Sequence, residues 1–392
     1  MDFRLTPEEA AFEKEVKEFL DKECTKEVVH EHESGLGLGP HSRGLLRKMG
    51  EAKLMAPAWP KEYGGRGLSP VTRFILSEQL AYHHGPYPLS CVEVAGPGIR
   101  HYGTEEQKKE FIPRIARGEL EFATGYSEPE AGSDVASLKI RAVESTAVEK
   151  GDKFIINGQK IFNTHAHYAD YMWLATRTDP TVPKHKGISL FILDMKTPGL
   201  TIRPMYTMAG VRTNEVFFDN VEIPRTRLVG EKNKGWDYIV GALNYERGGT
   251  VGDLQAGYDE LVEYVSKAKA EGKLYCDETW LSEELAQIAT ELRIGRWLIY
   301  RVAYLQDTGK PLTYEASLGK LYASQIRLHV FNVAMQSIGL YGQLRDWSKY
   351  IPELGTDMLP RYFDSVRWSI IAGTSEVQRN IMAMRGLGLP SK

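Results

Sequence analysis

Hydrophobic spacing changes period twice along this chain, and the two changes limit what it can fold into. Up to Glu121, apolar residues recur at the three-to-four-residue spacing of amphipathic helices. Thr6-Pro7-Glu8-Glu9 supplies an N-cap, a proline at the first helical position and a glutamate at the third; Phe12, Val16, Phe19 and Leu20 then share one face. Further helices are expected over 42–54, 69–84 and 89–102, and Thr104-Glu-Glu-Gln107 opens another that runs to about Arg117. No strand is expected before Glu121.

Beyond Leu120 the runs shorten. Lys153-Phe-Ile-Ile156 and Gln159-Lys-Ile-Phe162 flank Asn157-Gly158, a dipeptide that favours positive φ at both turn positions, so the stretch reads as a hairpin. Residues 171–177, 187–194, 200–204 and 216–223 are further runs of β-branched and aromatic residues bounded by turn formers, together a compact β-domain, barrel or sandwich. From Gly235 the helical period returns over 236–268, 280–307, 314–339 and 375–384, four long segments that suggest a bundle. The expected organisation is multidomain α and β: a helical domain over 1–120, a β-domain over 121–234 and a four-helix bundle over 235–392.

A chain of 392 residues has ample surface to bury such cores. Its net charge of −3 provides no footprint for nucleic acid or an anionic membrane. Cys24, Cys91 and Cys276 are scattered, without metal-ligand spacing, and read as reduced thiols. The N-terminus leads straight into an acidic amphipathic helix and no apolar run approaches a membrane span, so a soluble cytoplasmic protein is expected.

The stretch 367–390 contains a tight Ala372-Gly373-Thr374 turn ahead of a closing helix. Gly373 lets backbone approach a ligand, and Thr374 and Ser375 can cap the helix, leaving N–H groups for a phosphate or a polarised carbonyl. Two other stretches accompany it: Tyr126-Ser-Glu-Pro-Glu-Ala-Gly-Ser-Asp134 and Asn157-Gly-Gln-Lys-Ile-Phe-Asn-Thr164. In order and spacing the three resemble the acyl-CoA dehydrogenase family of flavoproteins, and the resemblance covers essentially the whole chain. It implies that family's fold, an FAD cofactor and an acyl-CoA substrate.

Most members carry a glutamate base just before the Gly-Thr of the last motif, where this chain has Ala372. An alanine takes no proton. Members of the isovaleryl-CoA type place the base on the first helix of the C-terminal domain in a Glu-Arg pair, and Asn244-Tyr-Glu-Arg247 occupies that place here. The resemblance therefore implies Glu246 as base. It also implies the Ala372 backbone N–H as a donor to the thioester carbonyl, with Asn244, Arg247 and Ser133 toward the CoA side. Removing a weakly acidic α-hydrogen needs such polarisation. Glu93, within Ser90-Cys-Val-Glu-Val-Ala95, is the alternative base or a specificity residue, unless it pairs with Arg100 or another cation.

For the cofactor, the resemblance puts Tyr126, Ser127 and Ser133 beside the flavin, Phe162 stacked on the ring and Thr164 hydrogen-bonding to it. Gln336, Gly339, Thr374 and Glu376 reach the ADP half, in many relatives across a subunit interface. The family's Arg-x-x-Phe-Gly is missing; Ala268-Lys-Ala-Glu271-Gly272 stands in its place, so Lys267, Lys269 or Lys273 supplies the charge, or a different subunit does. A homotetramer or a heterotetramer is expected, passing electrons to an electron-transfer flavoprotein. Three readings stand: dehydrogenation of a branched, cyclic or otherwise bulky acyl-CoA, the reverse reduction of an enoyl-CoA, and a non-catalytic subunit that supports a partner's FAD.

Overall fold

A computed structural model describes residues 4–34, 37–145, 152–246, 251–267, 269–270, 273–274, 278–310, 312–344 and 358–390. Six helices come first: α1 Pro7–Glu23, α2 Lys26–Glu33, α3 Pro40–Glu51, α4 Val71–Tyr82, α5 Gly96–Tyr102 and α6 Glu105–Ala116. The expected capping boxes form, with Thr6 and Glu9 exchanging bonds at the start of α1 and Thr104 and Gln107 at α6. Gln107 does more: its Nε2 donates to the carbonyls of Thr226 (2.7 Å) and Leu228 (2.9 Å), tying α6 to the sheet. Helix α2 was not expected from the sequence, and a single π-helical turn at Ser90–Ala95 precedes α5.

The strands are β1 Phe122–Gly125, β2 Arg141–Ser145, β3 Lys153–Lys160, β4 Tyr171–Arg177, β5 Ile188–Asp194, β6 Leu200–Tyr206, β7 Arg212–Pro224 and β8 Leu228–Val229. They form one mixed sheet in the order β6-β7-β3-β2-β4-β5-β8, with β1 pairing parallel to β4. Strand β5 is a nearly unbroken apolar run, buried on both faces. Strand β6 lies at the edge, where Pro204 is tolerated because its missing N–H breaks no inner ladder.

The expected hairpin at Asn157-Gly158 is corrected. Residues 153–160 are one strand, paired with β2 on one side and β7 on the other, with a register shift between Ile156 and Gly158. Gly158 has φ +142°, and a Cβ there would lie 2.8 Å from Ile140 Cγ1. The glycine serves a bulge rather than a turn.

The C-terminal part holds α7 Gly235–Glu246, α8 Gly252–Lys267, α9 Thr279–Asp307, α10 Glu315–Ile338, α11 Met358–Trp368 and α12 Ser375–Ile381. The expected first long helix is therefore two. Gly252 opens α8 where a Cβ would meet the Glu78 carbonyl of α4 at 2.0 Å, so only glycine allows the approach. Helix α11 is additional, and a two-residue antiparallel ladder, Lys269–Ala270 with Lys273–Leu274, follows α8.

One apolar core joins α1–α6 to the sheet, and a second fills the space among α8, α9, α10 and α11 with Phe74 of α4. Arg296 of α9 stitches the two parts together, donating to Glu13 (2.9 Å) and Glu78 (3.0 Å). Among the described residues no helix is long and apolar enough to cross a membrane, and no cluster of side chains suits a metal.

Candidate active site

Strand β1 delivers Tyr126 and Ser127 to the end of β3. Two donors at that strand's end take their carbonyls: Lys160 Nζ reaches the Tyr126 carbonyl at 3.0 Å and the N–H of Ile161, just past the strand, reaches that of Ser127 at 3.0 Å. In a trans peptide the N–H points opposite the C=O, so the Ser127 N–H is turned away from Lys160. Glu128 closes the arrangement, accepting from Lys160 Nζ (2.9 Å), the Lys139 N–H (2.6 Å) and the Ile140 N–H (3.1 Å). Burial lowers the Lys160 ammonium to about 8, against the pull of Glu128.

Phe162 stands next to this lock and is 61% exposed, so it is not the core aromatic that an isolated strand position would suggest. Its exposure is enforced. Asn163 is clamped on both sides, its N–H to the Asn214 carbonyl (3.0 Å), its carbonyl from Asn214 Nδ2 (2.8 Å) and its own Nδ2 to the Thr124 carbonyl (2.8 Å). With the backbone on either side fixed and φ at +58°, the ring is thrown outward. Thr164 Oγ1 lies 3.5 Å from Thr213 Oγ1. The first two sequence motifs are thus brought together, while Ser133 sits farther along an exposed turn whose Asp134 pairs with Lys184 at 2.6 Å.

The third motif rests on α10. Thr374 caps α12, its hydroxyl accepting from the Val377 N–H at 3.2 Å. Ala372 and Gly373 both take left-handed backbone, with φ of +53° and +92°. Their carbonyls are engaged from one side by Gln378 Nε2, at 3.1 and 3.0 Å, and Lys320 Nζ shares the second at 2.9 Å. The Gly373 and Thr374 N–H groups accordingly point away from Lys320 and Gln378. Glu376 is exposed, as are Gln336 near the end of α10 and Gly339 just beyond it. Leu340 and Tyr341 follow with large exposed side chains.

Helix α7 ends at Glu246 and packs on the π-helical turn that carries Glu93, as well as on α5 and β5. The side chains of Asn244 and Glu246, and all of Arg247, lie outside the described residues. Glu93 is 5% exposed and its partner is Arg73, at 2.5 Å. Arg100 instead lies over the rings of Trp59 and Tyr63. The Tyr87 hydroxyl also donates to Glu93, and burial, with that carboxylate adding to it, pushes the phenol far up. Ala268, Glu271 and Gly272 lie outside the described residues too.

Lys160, Glu128, Lys320 and Gln378 were not singled out from the sequence. A signal existed for Lys160: it shares the even positions of β3 with the buried Phe154 and Ile156, which the hairpin reading cut off. Lys320 carried no signal beyond a cation within an otherwise apolar helical run.

The described residues fit a flavin dinucleotide on one observation above all. A large aromatic is held out of the core by fixed backbone, next to a hydroxyl and an outward-facing amide, which is what a planar ring with polar edges requires.

Family models match three consecutive parts of the chain: the acyl-CoA dehydrogenase N-terminal domain over residues 6–119, the middle domain over 123–221 and the C-terminal domain over 233–387. The chain is 33% identical over 406 residues to "Acyl-CoA dehydrogenase FadE26" of Mycobacterium tuberculosis, covering 100% of this chain and 99% of that protein. Its fold is similar to that in the ChsE4-ChsE5 complex from Mycobacterium tuberculosis, with a TM-score of 0.89, 32% identity and 100% of both chains covered. It is also similar to the Tcur3481-Tcur3483 steroid ACAD, with a TM-score of 0.88, 30% identity and 100% of both chains covered.

Proposed function

This chain belongs to the acyl-CoA dehydrogenase family, whose members bind FAD, and we propose that it removes an α- and a β-hydrogen from a bulky acyl-CoA thioester with Glu246 as base. The observation that carries this reading is the turn at Ala372. It has no carboxylate, and the carbonyls of Ala372 and Gly373 are tied down from the interior side, so the base has to come from another element. Helix α7 ends at Glu246 and is the element that can bring it.

In this reading the Ala372 N–H donates to the thioester oxygen and stabilises the charge that builds there as the α-proton leaves for Glu246. Tyr126, Ser127, Ser133, Phe162 and Thr164 hold the flavin ring; Gln336, Gly339, Thr374 and Glu376 hold the ADP half. FAD held by these residues would supply the acceptor for the β-hydride, and electron-transfer flavoprotein is the proposed acceptor of its electrons. Asn244 and Arg247 are the residues proposed to contact CoA, and Glu93, already paired with Arg73, is the proposed pocket-shaping residue. The reverse reduction would use the same residues.

A polycyclic or otherwise bulky acyl group is supported by the similarity to a steroid ACAD and by the missing side chain at 372. A heteromeric assembly is a second reading. Leu340 and Tyr341 expose apolar surface beside Gly339, and both solved structures named above contain two different components. The test is the visible spectrum of the chain expressed alone, followed by anaerobic addition of straight, branched and cyclic acyl-CoAs to wild type and Glu246→Gln. Bleaching of wild type alone by the bulky class supports the proposal. Equal bleaching of both moves the base elsewhere, and a colourless protein that turns yellow only with a second subunit favours the heteromer.

A further inference from the structure

Resting on the reading of Ala372 as the carbonyl donor, we propose that Lys320 is the positioning residue that holds this turn in its donor geometry. Lys320 lies in the second turn of α10 and is buried, an expensive place for an ammonium unless its protons are used. It uses them on the turn. Nζ donates to the Trp368 carbonyl and to the Gly373 carbonyl, both at 2.9 Å, so one side chain bridges the last residue of α11 and the glycine of the turn. Ser324 Oγ, one helical turn further along α10, donates to the same Trp368 carbonyl at 3.1 Å.

Between the two bridged carbonyls the chain must reverse, and Ala372 does so at φ +53°. Left-handed backbone costs a residue with a Cβ roughly 1–2 kcal/mol, and it persists only where the surroundings over-determine it. Lys320 from α10 and Gln378 from α12 provide that constraint, the latter with its side chain wholly buried. The carbonyls of 368, 372 and 373 are all occupied from the interior, which turns the Gly373 and Thr374 amides to the other side and anchors the chain on both flanks of the Ala372 N–H. Without Lys320 the Gly373 carbonyl keeps one tie, the peptides can rotate, and the donor array loses its fixed direction. A donor that must reorganise during the reaction stabilises little.

The experiment uses the full flavin-loaded chain as wild type, Lys320→Met and Lys320→Arg. One readout is the infrared carbonyl band of a bound acyl-CoA carrying 13C at C1, taken from the class that bleaches wild type. A second is amide hydrogen exchange over 369–375. In Lys320→Met the band should move back toward that of free thioester, exchange over 369–375 should accelerate while the sheet stays protected, and kcat should fall about 10- to 100-fold with KM nearly unchanged. Lys320→Arg should recover part of each change. Gln378→Met removes the tie from the opposite side and should act in the same sense, which keeps the test open if Lys320→Met does not fold.

A purely structural lysine would lower Tm and leave the band and kcat alone; that result overturns the proposal. A wild type that neither bleaches nor shifts the band overturns the dehydrogenase reading itself and this inference with it.

Discussion

The ammonium of Lys160 is buried without exposure and lies 2.9 Å from the carboxylate of Glu128, and together they clamp the Tyr126-Ser127 loop to the strand that ends beside Phe162. Each partner compensates a charge that would otherwise be stranded. The pair therefore matters less for net stability than for which loop conformation survives.

Breaking the pair by Lys160→Met leaves Glu128 buried and uncompensated, which costs about 3–5 kcal/mol. A fall in Tm of several degrees is expected, together with poorer flavin retention. The pH dependence provides a sharper test. The folded-state pKa, about 8, lies below the unfolded value of about 10.4. Between these values the unfolded chain holds more protons than the folded one, so stability from this group grows as pH rises through the window and is lost as pH falls through about 8. Wild type should gain on Lys160→Met in urea melts between those pH values, and an unchanged gap would refute the assignment.

Phe162→Ala separates cofactor binding from folding. Because the ring is 61% exposed, its removal should change the stability of flavin-free protein by less than about 0.5 kcal/mol. Loss of a stacking partner worth about 0.5–1.5 kcal/mol should weaken flavin binding roughly two- to tenfold, and Phe162→Trp should restore it. A large loss of stability without a change in flavin affinity would make Phe162 a packing residue.

Much of this was legible in the residues because local signals agreed with the fold: the capping boxes at Thr6 and Thr104 and the period change near Leu120 all correspond to element boundaries. Asn157-Gly158 misled because its preference for positive φ serves a bulge as well as a hairpin, and only the pairing of β7 on the far side distinguishes them. Lys320 and Gln378 were invisible for a different reason. Their role depends on carbonyls 5 to 53 residues away, contacts that no local pattern encodes.

Glu246→Gln and Glu93→Gln should fail in different ways. Removing a general base costs about a hundredfold to ten-thousandfold in rate, so Glu246→Gln should retain its yellow colour, its Tm and its acyl-CoA affinity while losing turnover. Glu93→Gln instead weakens a buried ion pair with Arg73, and its first symptom should be a lowered Tm. If Glu93→Gln kept its Tm and lost turnover, the base would move to Glu93.

His329 of α10 lies between two carboxylates of α9, with Nδ1 2.8 Å from Glu291 and Nε2 2.7 Å from Glu284. Partial burial works to lower its pKa, but the hydrogen bonds to Glu291 and Glu284 outweigh that and raise it. A raised folded value means that the bound proton stabilises the α9–α10 contact fully below the unfolded pKa of about 6.5, and that this contribution disappears as pH rises through the folded value. The Tm gap between wild type and His329→Gln should accordingly be widest near about pH 6 and shrink steadily on going alkaline. The site is partly exposed, so salt should also narrow the gap at the acidic end. A gap that widened with pH would mean that neutral imidazole, acting through packing alone, is the stabilising form.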